Sequence, residues 1–364
     1  MKTQQIIYWS KPHILGKESI KVKKAIDTTW ISGGKYIQIF ENKLSKYLKK
    51  KYSFLVSNGT AALHLAFLAL DLKKNDEIII PGFGYMAAAN LAKLMNLKIK
   101  FSDIDKETFV TNLESLKKKI SKKTKAVVFI NTYGNMTDID KIQKFCNQKK
   151  IYLIEDAAES FGCIYKKKIS GSYGDVSTFS FHATKNITTG EGGLVVTNNK
   201  KIAKKLKLFR SHGVDKERYN HLVPGHNFRL TNLQAALGLE QFKNKKIFFE
   251  NRKHAYQYYK KNLNENSFKL QRIGDLDGFI PWSLPLIFSD DKKKLLRKII
   301  NNLKNNKIEF RRAFFSADRL KYFNIKKNQI PNSSYVSKNL ISLPLFSGIR
   351  KKEIKKITNA LKVN

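Results

Sequence analysis

Acidic residues are scarce in this chain: 29 Asp and Glu stand against 70 Lys and Arg in 364 residues, a formal charge of +41. Cysteine is scarcer still. Cys146 and Cys163 are the only two and lack CxxC spacing, which excludes a disulfide framework and a structural zinc site and fits a reducing cytoplasm. No metal site is expected. The opening MKTQQIIYWSKP has no apolar signal-peptide core. The longest apolar stretch, Phe54 to Leu70, is broken by Ser57, Asn58, Gly59, Thr60 and His64, so no membrane span is expected. Low-complexity tails are absent too. With 42% hydrophobic residues the whole chain reads as globular.

A shortage of acids leaves a basic excess, which in a nucleic-acid-binding protein gathers into patches that meet phosphate. Here the lysines are scattered, as in Lys117-Lys118-Lys119 and Lys166-Lys167-Lys168, and lysine far outnumbers arginine in a chain also rich in Asn and Ile. That pattern reads as compositional bias, and no nucleic-acid partner is expected. The field that remains favours an anionic substrate such as a nucleotide diphosphate or a phosphorylated metabolite.

The length exceeds what one core supports, so a large domain of about 200 to 250 residues with a smaller one attached is expected. From Ser53 the chain alternates β-rich runs with amphipathic segments: FLVS and TAALHLAFLAL, EIII and YMAAANLAKLM, KIKF and the segment Leu113 to Ile120, AVVFI and DKIQKFCNQKK, then IYLIE. Continuous Val/Ile/Leu runs are strands buried on both faces, which predicts an α/β fold with a mostly parallel sheet sandwiched by helices. Right-handed crossovers then bring the strand C-terminal ends to one edge, where ligands of such sheets collect. After Gly193 come a strand LVVTN, a helix from Lys200, and one long helical pattern from Thr231 to about Leu263. Strand-like WSLPLIF, a helix Asp291 to Leu303, IEF and a helix Lys351 to Leu361 complete a compact α+β unit. The expected division is residues 1–245 and 246–364, with the N-terminal segment packing on the smaller part.

Three constellations fall on the expected ligand edge. In VSNGTAAL a strand ends at Ser57, Asn58-Gly59 turns, and Thr60 opens a helix whose amides and hydroxyl suit an anion. In IYLIEDAAES the neighbours Glu155 and Asp156 face opposite ways, so one of them enters the site. Asp156 is the choice, on the face of Tyr152 and Ile154, because a desolvated carboxylate there needs a permanent cationic partner. In DVSTFSFHATKNITTGEGG, Lys185 sits in a hydroxyl-rich turn after a buried strand, where desolvation lowers an amine's pKa enough for attack on an aldehyde. A competing signal is Gly82-Phe83-Gly84-Tyr85-Met86-Ala87 with Asp103 about twenty residues on, which matches a dinucleotide fingerprint and supports a nicotinamide-dependent oxidoreductase. Pro81, Phe83 and Tyr85 crowd that approach. The loop reads better as placing Tyr85 as a stacking face for a planar cofactor.

Taken together, SNGTAALHLAFLAL, IIIPGFGYMAAANLA, FSDIDKETF, IEDAAESFG, FSFHATKNITTGEGGLVVTNN and HNFRLTNLQAALGLEQF occur in the order seen in the DegT/DnrJ/EryC1/StrS sugar aminotransferases. The chain resembles that family from about Lys11 onward. TTWISGGKYIQIFE, EDAAES and TTGEGG are most similar to its perosamine-synthase-like branch. The resemblance implies the aspartate-aminotransferase fold, that is fold type I of the enzymes using pyridoxal 5'-phosphate (PLP). It implies transfer of an amino group from L-glutamate to a nucleotide-linked keto sugar, at C4 of a GDP- or UDP-linked 4-keto-6-deoxyhexose, for polysaccharide synthesis in the cytoplasm.

By the same resemblance Lys185 matches the Schiff-base lysine, Asp156 the partner of the pyridine nitrogen, and Glu159 the position that contacts the ring hydroxyl. Tyr85 matches the stacking aromatic, and Gly59, Thr60 and Ser180 the phosphate cup. Asn227 matches an asparagine that reaches the phosphate from the neighbouring subunit, implying a homodimer, and His182, Arg229 and Arg311 are candidates for the substrate. Lys185 would also serve as the proton-transfer base. Some relatives carry His in place of the lysine and dehydrate the sugar, which Lys185 argues against. Two departures stand out: His226 where relatives often have Tyr, and Arg312 where they often have Pro.

Overall fold

The computed structural model describes residues 5–275 and 277–362, so the first four residues of the opening segment lie outside it. The apolar runs form strands β1 (Tyr52–Val56), β2 (Glu77–Pro81), β3 (Lys98–Ser102), β4 (Thr124–Ile130) and β5 (Tyr152–Asp156), then a small hairpin of β6 (Ile164–Tyr165) and β7 (Lys168–Ile169), then β8 (Val176–Ser180) and β9 (Gly193–Thr197). Apart from the hairpin they make one seven-stranded sheet in the order β1-β9-β8-β5-β4-β2-β3.

Residues alternate between two apolar cores, one on each face. Leu55, Ile79, Val127, Phe129 and Leu153 join one core, and Val56, Ile78, Ile80, Val128 and Ile154 the other. The helices follow this division. After α1 (Lys17–Asp27), α2 (Lys35–Leu48) covers the first face, while α3 (Gly59–Ala69) and α4 (Ala87–Leu94) cover the second. The short α5 (Leu113–Lys117) and α6 (Ile139–Lys149) pack on the first face, α7 (Lys200–Arg210) on the second, and α8 (Asn232–Lys243) on the first.

Not every strand ends at the ligand edge. β9 is antiparallel to both β1 and β8, so it starts there. No helix forms between Ser180 and Gly193, and a parallel return needs a crossover. The reversal aligns Val56, Gly193 and Ser180 in one row, and only glycine fits its centre: a Cβ on Gly193 would lie 2.4 Å from the Asn58 carbonyl oxygen. The loop after β1 is thereby drawn against the end of β8.

The long helical pattern is two helices, α8 and α9 (Lys245–Asn262), parted at Asn244, whose side chain donates to the Glu240 carbonyl at 3.0 Å. Beyond them β10 (Lys269–Leu270), β11 (Leu284–Ile287), β12 (Arg311–Arg312) and β13 (Leu340–Leu343) form an antiparallel sheet ordered β10-β11-β13-β12. The expected strand IEF starts later, since Ile308 instead bridges Ile7 and pairing resumes at Arg311. Helices α10 (Lys293–Asn305) and α12 (Lys351–Ala360) match expectation closely, whereas α11 (Pro331–Asn339) carries no clear apolar period. We propose to divide the chain at residue 245, because one sheet lies wholly before it and the other wholly after. The N-terminal segment crosses that line: Trp9 donates its amide to Glu309 Oε2 (2.9 Å) and its indole N–H to Ser342 Oγ (3.0 Å). Among the described residues no helix is long and apolar enough to cross a membrane.

Side-chain alternation decides between the two acids ending β5. Glu155 is fully buried on the far face and accepts the amides of Gly171 (2.7 Å), Tyr173 (3.0 Å) and Gly174 (3.3 Å), with Asn131 Nδ2 at 3.1 Å. It ties down the hairpin region. Glu155→Ala should destabilise the protein by about 3 to 5 kcal/mol in urea unfolding, since several buried donors lose their acceptor together.

Candidate active site

A cavity of about 860 Å³ opens at the edge where these strand ends meet. Gly59, Thr60, Tyr85, Asp156, Glu159, Ser180, His182, Lys185 and Arg311 all line it. The sheet explains the convergence: Ser180 shares a row with Val56, and Asp156 lies between Ile130 and Thr178 in register.

Lys185 sits in a turn stitched by its own amide to the His182 carbonyl (2.9 Å), by Thr189 N–H to the Phe181 carbonyl (2.9 Å), and by Asn186 Nδ2 to the Phe161 carbonyl (3.0 Å). Its Nζ lies 3.7 Å from Glu159 Oε1 and 3.9 Å from the centre of the Trp282 ring. Burial pushes the amine's pKa down, against the pull of Glu159 and Asp156. Burial also pushes the Asp156 carboxyl up to about 6 and the Glu159 carboxyl up to about 7. Asp156 Oδ1 accepts the Ala158 amide at 3.1 Å and Glu159 Oε2 the Tyr133 amide at 2.8 Å, too little to compensate two buried acids. A cation entering the cavity would meet unspent negative charge.

The residues present fit pyridoxal phosphate. At the start of α3 the Asn58 side chain caps Ala61 N–H (2.8 Å), which leaves the amides of Gly59 and Thr60 outside the cap. A Cβ on Gly59 would lie 3.0 Å from the Ser180 Cβ, so glycine keeps this cradle open. Thr178 Oγ1 lines the cavity, is buried, and has no hydrogen-bond partner. Amides, hydroxyls and a helix N-terminus form an anion seat, with an acid for a ring nitrogen and an amine for an aldehyde beyond it.

Asn227 and Arg229 lie outside the cavity of their own chain. Both are exposed, Arg229 Nε donates to Asn227 Oδ1 (3.0 Å), and Phe228 between them points inward. Along this extended segment neighbours alternate, and Phe228 takes the inward place, so Arg229, like Asn227, does not meet the cavity of its own chain. His182 lies 3.6 Å from Glu191 and bonds Thr184 Oγ1 (3.0 Å), while Arg311 pairs with Glu309 (2.7 Å) beside the Trp9 ring.

The dinucleotide reading fails on packing. A Cβ at Gly82 would meet Ile330 at 2.8 Å, and Asp103 is spent on the amides of Asn332 (2.9 Å) and Ser333 (2.8 Å) at the start of α11. Asp103 is thus not left for a ribose.

Sequence reasoning missed an aromatic wall. Tyr133 stacks on Trp282 (6.0 Å between ring centres) and on Phe314 (5.4 Å), and Tyr85 meets Phe314 edge-on (5.9 Å). These rings lie far apart in the chain and share no motif. Trp282, at the start of the strand-like WSLPLIF, carried the best available signal.

Comparison with known proteins agrees with this geometry. The profile of the DegT/DnrJ/EryC1/StrS aminotransferase family matches residues 13–362. GDP-perosamine synthase of Escherichia coli O157:H7 is 35% identical over 346 residues, 94% of each chain. The aminotransferase PseC of Helicobacter pylori, involved in the biosynthesis of pseudoaminic acid, superposes with a TM-score of 0.91 at 26% identity over 98% of each chain. The Escherichia coli GDP-4-keto-6-deoxy-D-mannose-3-dehydratase with bound hydrated PLP gives 0.90 at 26% identity, covering 98% of this chain and all of that one. The chain belongs to the DegT/DnrJ/EryC1/StrS aminotransferase family.

Proposed function

We propose that this chain is a PLP-dependent aminotransferase that moves the amino group of glutamate to C4 of a nucleotide-linked 4-keto-6-deoxyhexose, with GDP favoured over UDP as the carrier. The observation that carries this reading is the meeting of Lys185, Asp156 and the Gly59–Thr60–Ser180 cradle in one cavity. The likeness to GDP-perosamine synthase supports the sugar and carrier, and the basic field suits a diphosphate substrate. A lysine at position 185, where dehydrating relatives carry histidine, favours transamination.

Bound pyridoxal phosphate supplies an electron sink and carries the amino group between the two half-reactions. Gly59, Thr60 and Ser180 would hold its phosphate, and Tyr85 would present its ring face. Asp156 would keep a proton on the ring nitrogen, and Glu159 would face the ring hydroxyl. Lys185 anchors the cofactor and, once free, takes a proton from the substrate carbon and returns it elsewhere. Arg311 and His182 line the approach for the sugar nucleotide. Asn227 would act across a homodimer interface, a role supported by its exposure outside its own cavity and by exposed Trp30 and Ile31 next to the start of α8.

Lys185→Ala should lose the visible absorption band of the loaded enzyme and at least about 10³-fold in turnover with glutamate and a keto sugar nucleotide; a colourless wild type that pyridoxal phosphate cannot restore would sink the proposal. Homodimers of Lys185→Ala and of Asn227→Ala, each impaired alone, should regain about a quarter of wild-type activity after subunit exchange, because half the dimers then carry one intact site. The raised carboxyls predict a pH effect on the cofactor-free protein. Their folded pKa values exceed the unfolded ones, so the stability they contribute is complete below about pH 4 and is lost as pH rises through about 6 and 7. Between about pH 4 and 8 the wild type should lose on the order of 3 kcal/mol per group in urea unfolding, and Asp156→Asn with Glu159→Gln should abolish the loss.

A further inference from the structure

Two residues that none of the roles above uses converge on Lys185. Trp282 sends its indole N–H to the Thr184 carbonyl at 2.9 Å, and its ring face lies 3.9 Å from Lys185 Nζ. Arg252, on α9, is 3% exposed. Its Nη1 donates to the carbonyls of Trp282 (3.0 Å), Leu345 (3.1 Å) and Pro281 (3.4 Å), and its Nη2 to the carbonyl of Lys185 itself (3.3 Å). Among the described residues no carboxylate pairs with it, and its Nε has no partner. A buried guanidinium satisfied only by carbonyls is costly, and a neutral donor could bridge the same oxygens.

We propose that Arg252 and Trp282 are positioning residues that fix where the free amine of Lys185 rests and in which charge state, an inference that rests on reading Lys185 as the cofactor lysine. The amine must hold a proton briefly and then give it up. The indole face holds the ammonium form, and the like charge of Arg252 behind the lysine's backbone opposes it. The two act on the amine's charge state in opposite directions. The ring cannot drift, because Trp282 stacks on Tyr133 and is tied to both Thr184 and Arg252. Tyr133 in turn donates its amide to Glu159. Facing Lys185 are therefore Glu159 and Asp156 from the end of β5 and the following turn, His182 from its own turn, Tyr133, and Arg252 from α9. Glu159 and Asp156 favour the ammonium, as the indole does, while burial and then the charge of Arg252 act against it.

Cofactor-free protein is incubated with pyridoxal phosphate over the neutral to alkaline range, reduced with borohydride, and assayed for labelled Lys185 peptide by mass spectrometry, with circular dichroism and Tm as folding controls. Trp282→Leu should move the pH of half-maximal capture down by about one unit and Arg252→Leu should move it up by a similar amount. Trp282→Phe and Arg252→Lys, which keep the ring and the charge, should stay within a few tenths of wild type. A purely structural role would lower the extent of capture without opposite shifts. Unchanged midpoints in folded Trp282→Leu and Arg252→Leu overturn the inference; should Arg252→Leu fail to fold, Arg252→Gln takes its place. Label that persists at the site in Lys185→Ala would instead overturn the cofactor reading.

Discussion

Burial of unlike charges with too few partners is the constraint on which this cavity depends. Asp156 and Glu159 are buried acids with one backbone amide each, and Lys185 is a buried amine that only partly answers them. In most interiors such a set would be neutralised or replaced by apolar groups. In the proposed reading this deficit is what a ligand bringing a cationic ring, an aldehyde and a phosphate together would satisfy. The protein keeps these groups buried and short of partners.

The scaffold can hold such a deficit because the rest of the sheet is well satisfied. Glu155, one residue from Asp156, spends both oxygens on backbone amides and a side-chain amide, so the two acids ending β5 differ in the face they turn to and in how fully they are satisfied. The reversal at β9 has a similar economy. One antiparallel strand, begun by a glycine, sets the phosphate cradle against the end of β8 and leaves the twelve-residue turn between them free to carry the lysine.

Local signals were readable in the chain because they come from local physics. The alternation of buried runs and helices, the opposed faces of Glu155 and Asp156, the Asn58 cap and the position of Lys185 after FSFHAT each follow from a few neighbouring residues. What depends on distant partners was not readable. Asn244 looks like an ordinary helical position until its amide turns back on Glu240, and α11, without an apolar period, has its first amides held by Asp103, more than two hundred residues away. The aromatic wall of Tyr133, Trp282 and Phe314 likewise exists only after folding. The glycine fingerprint at Gly82 and Gly84 was misleading for the same reason, since Ile330 fills the space a dinucleotide would need.

Trp9 has a consequence for how the molecule is made. It lines the cavity and bonds Ser342, a partner 333 positions along the chain, while Arg311 and Trp282 contribute from the same late stretch. A growing chain that has just passed the ribosome exit at Lys185 thus owns the lysine but not the enclosure whose burial lowers its pKa. Until synthesis is nearly complete that lysine is as exposed as any other, and its distinct surroundings are acquired only when the last strand closes over the N-terminal segment.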